Sequence, residues 1–268
     1  MTVGKNFHGP KKYYHVIVAT GMRGIVLAGG SGSRLSPLTD IISKHLLPVY
    51  NKPMIFYPLS ILIDSGIKEI LIISTEEHIE LYKGLLDRQD FGDVELSYCI
   101  QKDPNGLPEA FILGEEFIGD DDVTLILGDN LFIGDGVAEK IAEIDELDGG
   151  VIFGKRVPDP ERFGVAVTDE SGSVMTLEEK PENPQSDLAV VGLYVYDSSV
   201  VERSKNLSPS KRGELEITDL NLSFLNDQKL KLIQLDNSVT WLDTGTFDSL
   251  LEAGQIVKNR CERNVSQN

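Results

Sequence analysis

A glycine-rich stretch at residues 27–34 is the first part of the sequence whose residue types could do chemistry. Its sequence is LAGGSGSR, so an apolar run ends in three glycines and two serines, and Arg34 follows. Glycines let the backbone approach a ligand closely, their N–H groups can hold an anion, and Arg34 adds a permanent cation. The loop is neither a Walker P-loop nor a dinucleotide fingerprint, because the spacing of its glycines differs. From the residues alone, nucleotide binding and an ordinary glycine turn explain this loop equally well.

Three further positions could act on phosphate or on a metal ion. Lys44 precedes an apolar run, where it could bind phosphate or be an ordinary solvated lysine. Asp129 lies in Gly-Asp-Asn after the apolar run 123–127, where a carboxylate could bind Mg²⁺ or cap a helix. Asp243, in WLDTGT, is the candidate second carboxylate, and spacing does not show that the two meet. Thr246 could cap the last helix.

The composition is that of a globular protein with an acidic balance. Among 268 residues, 43 acids against 25 bases leave a formal net charge of −18. This charge argues against nucleic acid or an anionic membrane as partner, and we expect the few cations of a phosphate-handling protein to be concentrated in one site. Cys99 and Cys261 have no metal or redox spacing, so we expect reduced thiols and a cytoplasmic location.

Alternating strand and helix patterns must position these residues. In the first half of the chain, segments with helical periodicity alternate with continuous apolar runs. The apolar runs lie at 24–27, 70–74, 96–100 and 123–127. The helical segments lie at 53–66, 78–86 and 109–117. Continuous apolar runs are typical of parallel strands covered on both faces. This alternation of strands and helices predicts an α/β fold with a doubly wound, mainly parallel, Rossmann-like sheet.

The pattern changes after residue 149 without a linker. Strand-like runs at 151–156, 165–169, 174–179 and 190–196 predict a smaller β-rich elaboration, before helices at 198–205 and 217–226, a strand at 230–235 and a helix at 246–261. We expect one domain over 22–268, with a first half (22–150), a second half (151–245) and a C-terminal helix (246–268). Residues 1–21 are expected to be a partly disordered N-terminal extension, to which no function is assigned.

Several motifs resemble those of the bacterial sugar-1-phosphate nucleotidylyltransferases, most closely the thymidylyltransferases acting on glucose 1-phosphate. They occur in family order from residue 22 onwards, as LAGGSGSRLSPLT (27–39), SKHLLPVYNKPMI (43–55), LGDN (127–130), PERFGVA (160–166), EEKP (178–181), VVGLYVYD (190–197), RGELEITD (212–219) and WLDTGT (241–246). The combination of ERFGV, RGELEITD and WLDTGT is the more specific part of the resemblance.

The resemblance implies roles for individual residues. It assigns catalysis to Arg34, Lys44, Asp129 and Lys180, Mg²⁺ binding to Asp129 and Asp243, nucleotide contacts to Leu27, Gly29, Gly30, Gln101, Pro104 and Gly106, and sugar contacts to Gly164, Glu179 and Gly192. The implied reaction transfers the thymidylyl group of dTTP to glucose 1-phosphate, giving dTDP-glucose and pyrophosphate. A UTP-dependent uridylyltransferase and a non-catalytic nucleotide-sugar-binding regulatory protein stay open as alternatives, and so does assembly into a homo-oligomer.

The sequence departs from the family pattern at three places. Pro108-Glu109 replaces the usual Ala-Gln beside the base-contacting segment and brings a charge near the base. His45 stands where many relatives carry Gln. The chain also ends soon after Cys261, where longer relatives continue into a helical extension, so feedback inhibition is not expected from the resemblance.

Overall fold

The computed structural model describes residues 21–30 and 32–266. The expected N-terminal extension therefore lies, apart from Gly21, outside the described residues. In the first half, strands and helices alternate as β1 Met22–Leu27, β2 Pro48–Val49, β3 Lys52–Pro53, α1 Phe56–Asp64, β4 Glu69–Ser74, α2 Ile79–Leu86, β5 Glu95–Ile100, α3 Glu109–Leu113, α4 Glu115–Ile118, β6 Asp122–Leu127, β7 Asn130–Ile133 and α5 Val137–Ala142.

The second half is richer in strands. Its elements are β8 Gly150–Arg156, β9 Gly164–Thr168, β10 Val174–Glu179, β11 Leu188–Tyr196, α6 Val200–Lys205, α7 Ile217–Asn226, β12 Leu230–Gln234, β13 Thr240–Asp243 and α8 Phe247–Ser266.

A nine-stranded sheet joins the two halves of the chain. Strands β1, β4, β5 and β6 are parallel neighbours, with β1 between β4 and β6. Strand β11 attaches antiparallel to β6 and also pairs with β8 and β9. Strand β12 pairs in parallel with β8, and β10 pairs antiparallel with β9 at the edge of the sheet. The predicted α/β fold with a Rossmann-like, mostly parallel sheet is confirmed, and the antiparallel pairs lie where the second half joins.

Apolar residues cover both faces of this sheet. Val26 and Ile126 belong to one core cluster, whereas their strand neighbours Ile25 and Leu125 belong to another, so alternate residues of each strand face opposite cores. Burial on both faces explains why these strands were visible as continuous apolar runs.

Several elements differ from the sequence-based expectations. The predicted helix at 109–117 is wrong as a single element: it is interrupted at Gly114, which packs closely against Ile25 and Leu71 of the sheet. The helix predicted from residue 53 begins at Phe56, because residues 52–53 form β3. The final helix continues to Ser266 rather than ending at Cys261. The predicted cap is confirmed, since Ser249 N–H donates to Thr246 Oγ1 at 3.2 Å.

No helix within residues 21–30 and 32–266 has the length and apolarity needed to span a membrane.

Candidate active site

Asp129 and Asp243 are brought together by the antiparallel pairing of β7 with β13. Asp129 lies two residues after the end of β6, and Asp243 is opposite Asn130 in the β7–β13 register. Thr244 fixes this junction, because its N–H and Oγ1 both donate to the carbonyl oxygen of Asp129, at 3.2 and 2.7 Å. The two carboxylates therefore share one location beyond the carboxyl end of β6.

The electrostatics of the two carboxylates differ. Burial, and then the charge of Asp129, raise the pKa of Asp243 above its usual value. Burial also opposes ionisation of Asp129, but the charge of Lys44 and hydrogen bonds from Lys44 and Asn130 hold its pKa well below the usual range. Lys44 Nζ donates to Asp129 Oδ2, and Asn130 Nδ2 donates to Oδ1 at 3.0 Å. Asp129 is thus a fixed anion with a cationic partner.

This pair of carboxylates fits a hard divalent cation. Mg²⁺ usually takes one or two protein carboxylates and completes its shell with water and phosphate oxygens. In the part of the chain that the structure describes, no group of three or more carboxylate, His or Cys side chains is arranged to hold a metal. Asp129 and Asp243 would therefore hold a cation only together with substrate phosphate or water.

His45 supports Lys44 from the protein interior. Its ring is 1% exposed, and Nδ1 lies 3.1 Å from Ser43 Oγ and 3.3 Å from the Tyr82 hydroxyl. Burial, and then the charge of Lys44, lower the pKa of His45 to about 3. The ring packs so closely on Gly128 that a Cβ there would lie 2.7 Å from its Cδ2. His45 is therefore a neutral residue that fixes Lys44 against the loop of Asp129.

Two arginines approach Asp243 from different elements. A Cβ at Gly245 would lie 2.7 Å from Arg34 Nη2 and 3.0 Å from Asp243 Oδ1, so this glycine leaves room for the guanidinium. Arg162 Nη2 lies 3.5 Å from Asp243 Oδ2. Arg34 was predicted as a site residue and Arg162 was not, although it belongs to the ERFGV motif. Together with Lys44, they form a cationic group around the two carboxylates.

The glycine loop and the base segment face each other across the ends of β1 and β5. Leu27 ends β1, and Gly30 has a positive φ of 91° that favours glycine. A Cβ at Gly29 would collide with Oε1 of Gln101, whose side chain follows β5. Pro104 is exposed in the same segment. These residues line one end of the site.

Gly106 ties the base segment to the loop before α7. It forms a parallel β-bridge with Leu215, and Leu215 N–H donates to the Asn105 carbonyl at 2.7 Å. Gly106 has φ 109°, and a Cβ there would collide with the Leu215 backbone. Only glycine combines this φ with this close approach.

The predicted sugar residues Gly164 and Glu179 lie together on β9 and β10. Gly164 is opposite Glu179 in the strand register. Glu179 accepts a 2.7 Å hydrogen bond from Thr218 Oγ1, and it lies 3.4 Å from Lys180 Nζ and 3.5 Å from Arg212 Nη2. Lys180 has φ 45°, and its N–H donates to the Phe163 carbonyl at 3.0 Å. Thr218 and Arg212 were not predicted individually, although both belong to RGELEITD.

Asn130 and the Phe163–Trp241 pair connect this cluster to the carboxylates. Gly192 N–H and Trp241 Nε1 both donate to Asn130 Oδ1, at 3.0 and 2.7 Å. A Cβ at Gly192 would lie 2.6 Å from the same oxygen. The Phe163 and Trp241 rings pack with their centroids 4.8 Å apart. These contacts therefore link the residues of β9 and β10 to the neighbourhood of Asp129 and Asp243.

Comparison with known proteins defines the class that this fold and site represent. Residues 23–260 match the family described as Nucleotidyl transferase, and the chain belongs to that family. Enzymes of this family typically use a divalent metal ion.

The most similar relatives include two named glucose-1-phosphate thymidylyltransferase. The one from Neisseria gonorrhoeae is 51% identical over 88% of this chain and 83% of its own length. The one from Mycolicibacterium smegmatis is 49% identical over 88% of this chain and 82% of its own length.

Solved structures agree with the fold. A Bacillus anthracis protein described as a glucose-1-phosphate thymidylyltransferase in complex with sucrose superposes with a TM-score of 0.81 at 40% identity, covering 88% of this chain and 94% of that one. A UDP-glucose pyrophosphorylase in complex with UDP-glucose superposes with a TM-score of 0.78 at 24% identity, over 89% of this chain and 99% of that one, and shows the shared fold.

Proposed function

We propose that this protein is a glucose-1-phosphate thymidylyltransferase, transferring the thymidylyl group of dTTP to glucose 1-phosphate and releasing pyrophosphate. The observation that carries the proposal is the cluster of Lys44, Asp129 and Asp243 with Arg34 beside it. Such a group of cations around paired carboxylates suits phosphoryl chemistry between two anions. Relatives at 45–51% identity carry the same enzyme name, which supports the choice of substrates.

In the proposed reaction, an oxygen of the sugar phosphate attacks the α-phosphorus of dTTP in line. The new P–O bond forms as the bond between the α-phosphorus and the bridging oxygen breaks, and its electron pair leaves with pyrophosphate. The nucleophile is already anionic, so no general base is needed. The buried His45, with a pKa of about 3, would be a weak base. The protein contributes positioning and charge neutralisation.

The cationic residues have separate tasks in this scheme. Lys44 binds the α-phosphate, and Arg34 stabilises charge on the transferring and leaving phosphates. Lys180 aligns the phosphate of the incoming sugar. Leu27, Gly29 and Gly30 bind the nucleotide from one side, and the segment with Gln101, Pro104 and Gly106 contacts the base.

On the sugar side, Glu179 accepts hydrogen bonds from sugar hydroxyls. Thr218 Oγ1 and Arg212 hold its carboxylate in place. Gly164 and Gly192 are proposed to lie beside the hexose. A side chain at Gly192 would collide with Asn130, and one at Gly164 would lie 3.1 Å from Thr218 Oγ1, so glycine at both positions lets these neighbouring side chains pack closely.

Mg²⁺ is the proposed cofactor, held by Asp129 and Asp243. When bound, it would neutralise charge on the phosphates of the nucleotide. The protein's own part is to keep Asp129 ionised through Lys44 and to place Asp243 beside it through the β7–β13 pairing.

A pyrophosphate-release assay tests the function. Glucose 1-phosphate is supplied with dTTP, UTP, CTP or ATP in the presence of Mg²⁺, and we expect the highest kcat/KM with dTTP. The methyl group that separates thymine from uracil is worth about 1–3 kcal/mol, so a measurable rate with UTP is expected as well. A higher kcat/KM with UTP would support the uridylyltransferase. Absence of release with every nucleotide would support a regulatory nucleotide-sugar-binding protein.

We further propose one domain over 22–268, in which residues 22–150 mainly bind the nucleotide, 151–245 mainly bind the sugar and 246–268 form the C-terminal helix. A cytoplasmic location is proposed because nucleoside triphosphates are cytoplasmic substrates. Assembly into a homo-oligomer is proposed too, and light scattering on the purified protein measures it directly.

A further inference from the structure

Glu109, the first residue of α3, is the centre of a hydrogen-bond group behind the base segment. Its Oε2 accepts a 2.6 Å hydrogen bond from Gln101 Nε2, and its Oε1 accepts one of 2.7 Å from Asn105 Nδ2. The Asn105 N–H also points to Oε2, at 3.4 Å. One carboxylate thus connects both ends of the segment that precedes it.

The chemistry of the carboxylate decides the orientation of the Gln101 amide. An ionised carboxylate only accepts hydrogen bonds, so the amide must turn its NH₂ group towards Glu109. A glutamine at position 109 could donate or accept, and would allow either orientation of Gln101. Glu109, which departs from the family pattern, therefore fixes the orientation of the Gln101 amide, whereas the glutamine usual in the family would allow both orientations.

The other end of the amide faces the glycine loop. Gln101 is 5% exposed, and its Oε1 occupies the space that a Cβ at Gly29 would need. Among residues 21–30 and 32–266, no donor makes a hydrogen bond to this oxygen. An amide oxygen that accepts no hydrogen bond from these residues can accept one from a ligand N–H at this place.

We propose that Glu109 is a specificity-determining positioning residue, which holds Gln101 with its acceptor towards the nucleobase. A base with a ring N–H at position 3, such as thymine or uracil, can donate to Gln101 Oε1. Cytosine carries an acceptor at that position and would leave two acceptors facing each other. The inference rests on the proposed function, since it takes the ligand to be a pyrimidine nucleoside triphosphate.

The test compares dTTP with dCTP, which share the same sugar and triphosphate. The kcat/KM of each nucleotide with glucose 1-phosphate is measured for the wild type, Glu109→Gln and Glu109→Ala. Because the amide can turn over once the carboxylate is gone, the dTTP/dCTP ratio is expected to fall at least about tenfold in Glu109→Ala. A smaller fall is expected in Glu109→Gln, which preserves the shape of the side chain.

The matched control is Glu116→Gln, an exposed carboxylate on the neighbouring helix α4, and we expect its ratio to equal that of the wild type. If kcat/KM falls equally for both nucleotides in the Glu109 variants, so that the ratio stays constant, Glu109 only stabilises the loop and the proposal is overturned. Circular dichroism identifies any variant that fails to fold, and Glu109→Gln then decides.

Binding measurements separate this proposal from the proposed function. Calorimetric Kd values for dTTP and dCTP are measured on the same proteins, without a turnover step. Should the wild type release no pyrophosphate, the enzyme assignment fails, and the Kd ratio across the variants still decides the role of Glu109. A ratio that falls in Glu109→Ala supports the proposal, and a constant ratio overturns it.

Discussion

At the scale of single residues, the charge of Asp129 opposes the ionisation of Asp243. The protein compensates one of them with Lys44 and leaves the other with a raised pKa between Arg34 and Arg162. A pair of this kind is stabilised further by any cation that binds both members. The same pair explains how few protein ligands the site needs, since phosphate oxygens can supply the rest.

Replacing Asp129 by Asn tests this pair. The variant removes one metal-binding charge, so we expect kcat to fall about a thousandfold or more, on the order of 4 kcal/mol of transition-state stabilisation. The amide oxygen of Asn can still accept a hydrogen bond from Lys44, so the fold should persist with a loss of no more than about 3 kcal/mol. Steady-state kinetics and urea unfolding measure the two quantities.

The control for this variant is Asp248→Asn, an exposed carboxylate in the first turn of α8, where we expect unchanged kinetics. Wild-type-like turnover of Asp129→Asn at saturating Mg²⁺ would show that the metal assignment is wrong.

His45 gives a prediction about pH. Its ordinary pKa of 6.5 falls to about 3 in the folded protein. Between these values only the unfolded state binds a proton, so the free energy of unfolding falls as the pH falls, by up to about 1.4 kcal/mol per unit. Above pH 6.5 His45 is neutral in both states, so its protonation no longer lowers the free energy of unfolding. The variant His45→Gln lacks this ionisation, and from pH 6.5 to 4.5 we expect it to lose about 2 kcal/mol less stability than the wild type in urea unfolding. Parallel stability curves would contradict the assignment.

Site residues could be predicted from the sequence where a local feature, such as a glycine loop or the end of a strand, marks their position. Lys44 and Asp129 were found because one follows the glycine loop and the other lies just beyond the end of a strand. The parallel neighbours β1 and β6 bring their carboxyl ends to one edge. The meeting of Asp129 with Asp243 could not be derived from the residues, because it depends on β7 and β13, short strands far apart in sequence. Arg162 and Thr218 could not be assigned either, because their partners Asp243 and Glu179 lie far away in the sequence and are brought close only by the fold.

At the scale of elements, the segment between β5 and α3 is attached at both ends. Gln101 and Asn105 donate hydrogen bonds to Glu109. Gly106 forms a β-bridge with Leu215 in the loop before α7, where Leu215 N–H donates to the Asn105 carbonyl. The second attachment joins the nucleotide half to the half that contains Glu179 and Arg212. A shift of this segment would move the base relative to the phosphates, and a misplacement of about 1 Å can cost a hundredfold in rate.

Gly106→Ala tests the attachment. Alanine is strained at φ 109°, and its Cβ would collide with the Leu215 backbone, so the bridge must open. We expect the KM for the nucleotide to rise at least about tenfold and the free energy of unfolding to fall by about 1–3 kcal/mol. Kinetics with dTTP at saturating glucose 1-phosphate measures the first effect, and urea unfolding the second.

Gly84→Ala is the matched control, because Gly84 lies in α2 with open space around it. Alanine favours a helix interior by up to about 1 kcal/mol over glycine, so this variant should gain stability and keep its KM. An unchanged KM in Gly106→Ala would show that the bridge does not position the base.

Elements with strong periodicity were predicted well, and those set by packing were not. Helix α7 and strand β10 were placed at their observed ends, because turn residues and a clear period mark them. The helix predicted at 109–117 is split because Gly114 makes a close contact with the sheet, and a period alone does not reveal such a contact. The hairpin of β2 and β3 has two residues per strand, too few for any pattern.

At the scale of the whole molecule, charge is distributed unevenly. The net charge of −18 repels polyanions at long range, but Arg34, Lys44, Arg162, Lys180 and Arg212 are gathered around the site. Interactions beyond about 8–10 Å are screened at physiological salt, so these local cations dominate for a bound nucleotide. Five of the 25 lysines and arginines thus lie near the site, and others form ion pairs elsewhere on the molecule. The cost of the acidic balance is repulsion elsewhere on the molecule.

The opposite end of the sheet shows this repulsion at Asp122. Tyr196 is opposite Val123 in the β11–β6 register, which brings Asp197 beside Asp122. Burial, and then the charges of Asp197 and Asp121, raise the pKa of Asp122 from 3.8 to about 6. The folded state therefore keeps its proton more readily than the unfolded state. Stability is lost as the pH rises from about 4 to about 6, and the loss is complete above that range.

Asp122→Asn removes this loss, so it should stabilise the protein above pH 6. The shift alone corresponds to about 3 kcal/mol, but the side chain is half exposed and solvent screens its neighbours, so we expect a gain of about 1 kcal/mol at pH 8. At pH 5 the wild type is largely protonated at this site, and the gain should be about half as large. The exposed neighbour Asp120→Asn is the control and should change stability by less than about 0.5 kcal/mol. Urea unfolding at both pH values measures the difference, and a loss of stability in Asp122→Asn at pH 8 would mean that the carboxylate makes a favourable contact that outweighs the repulsion.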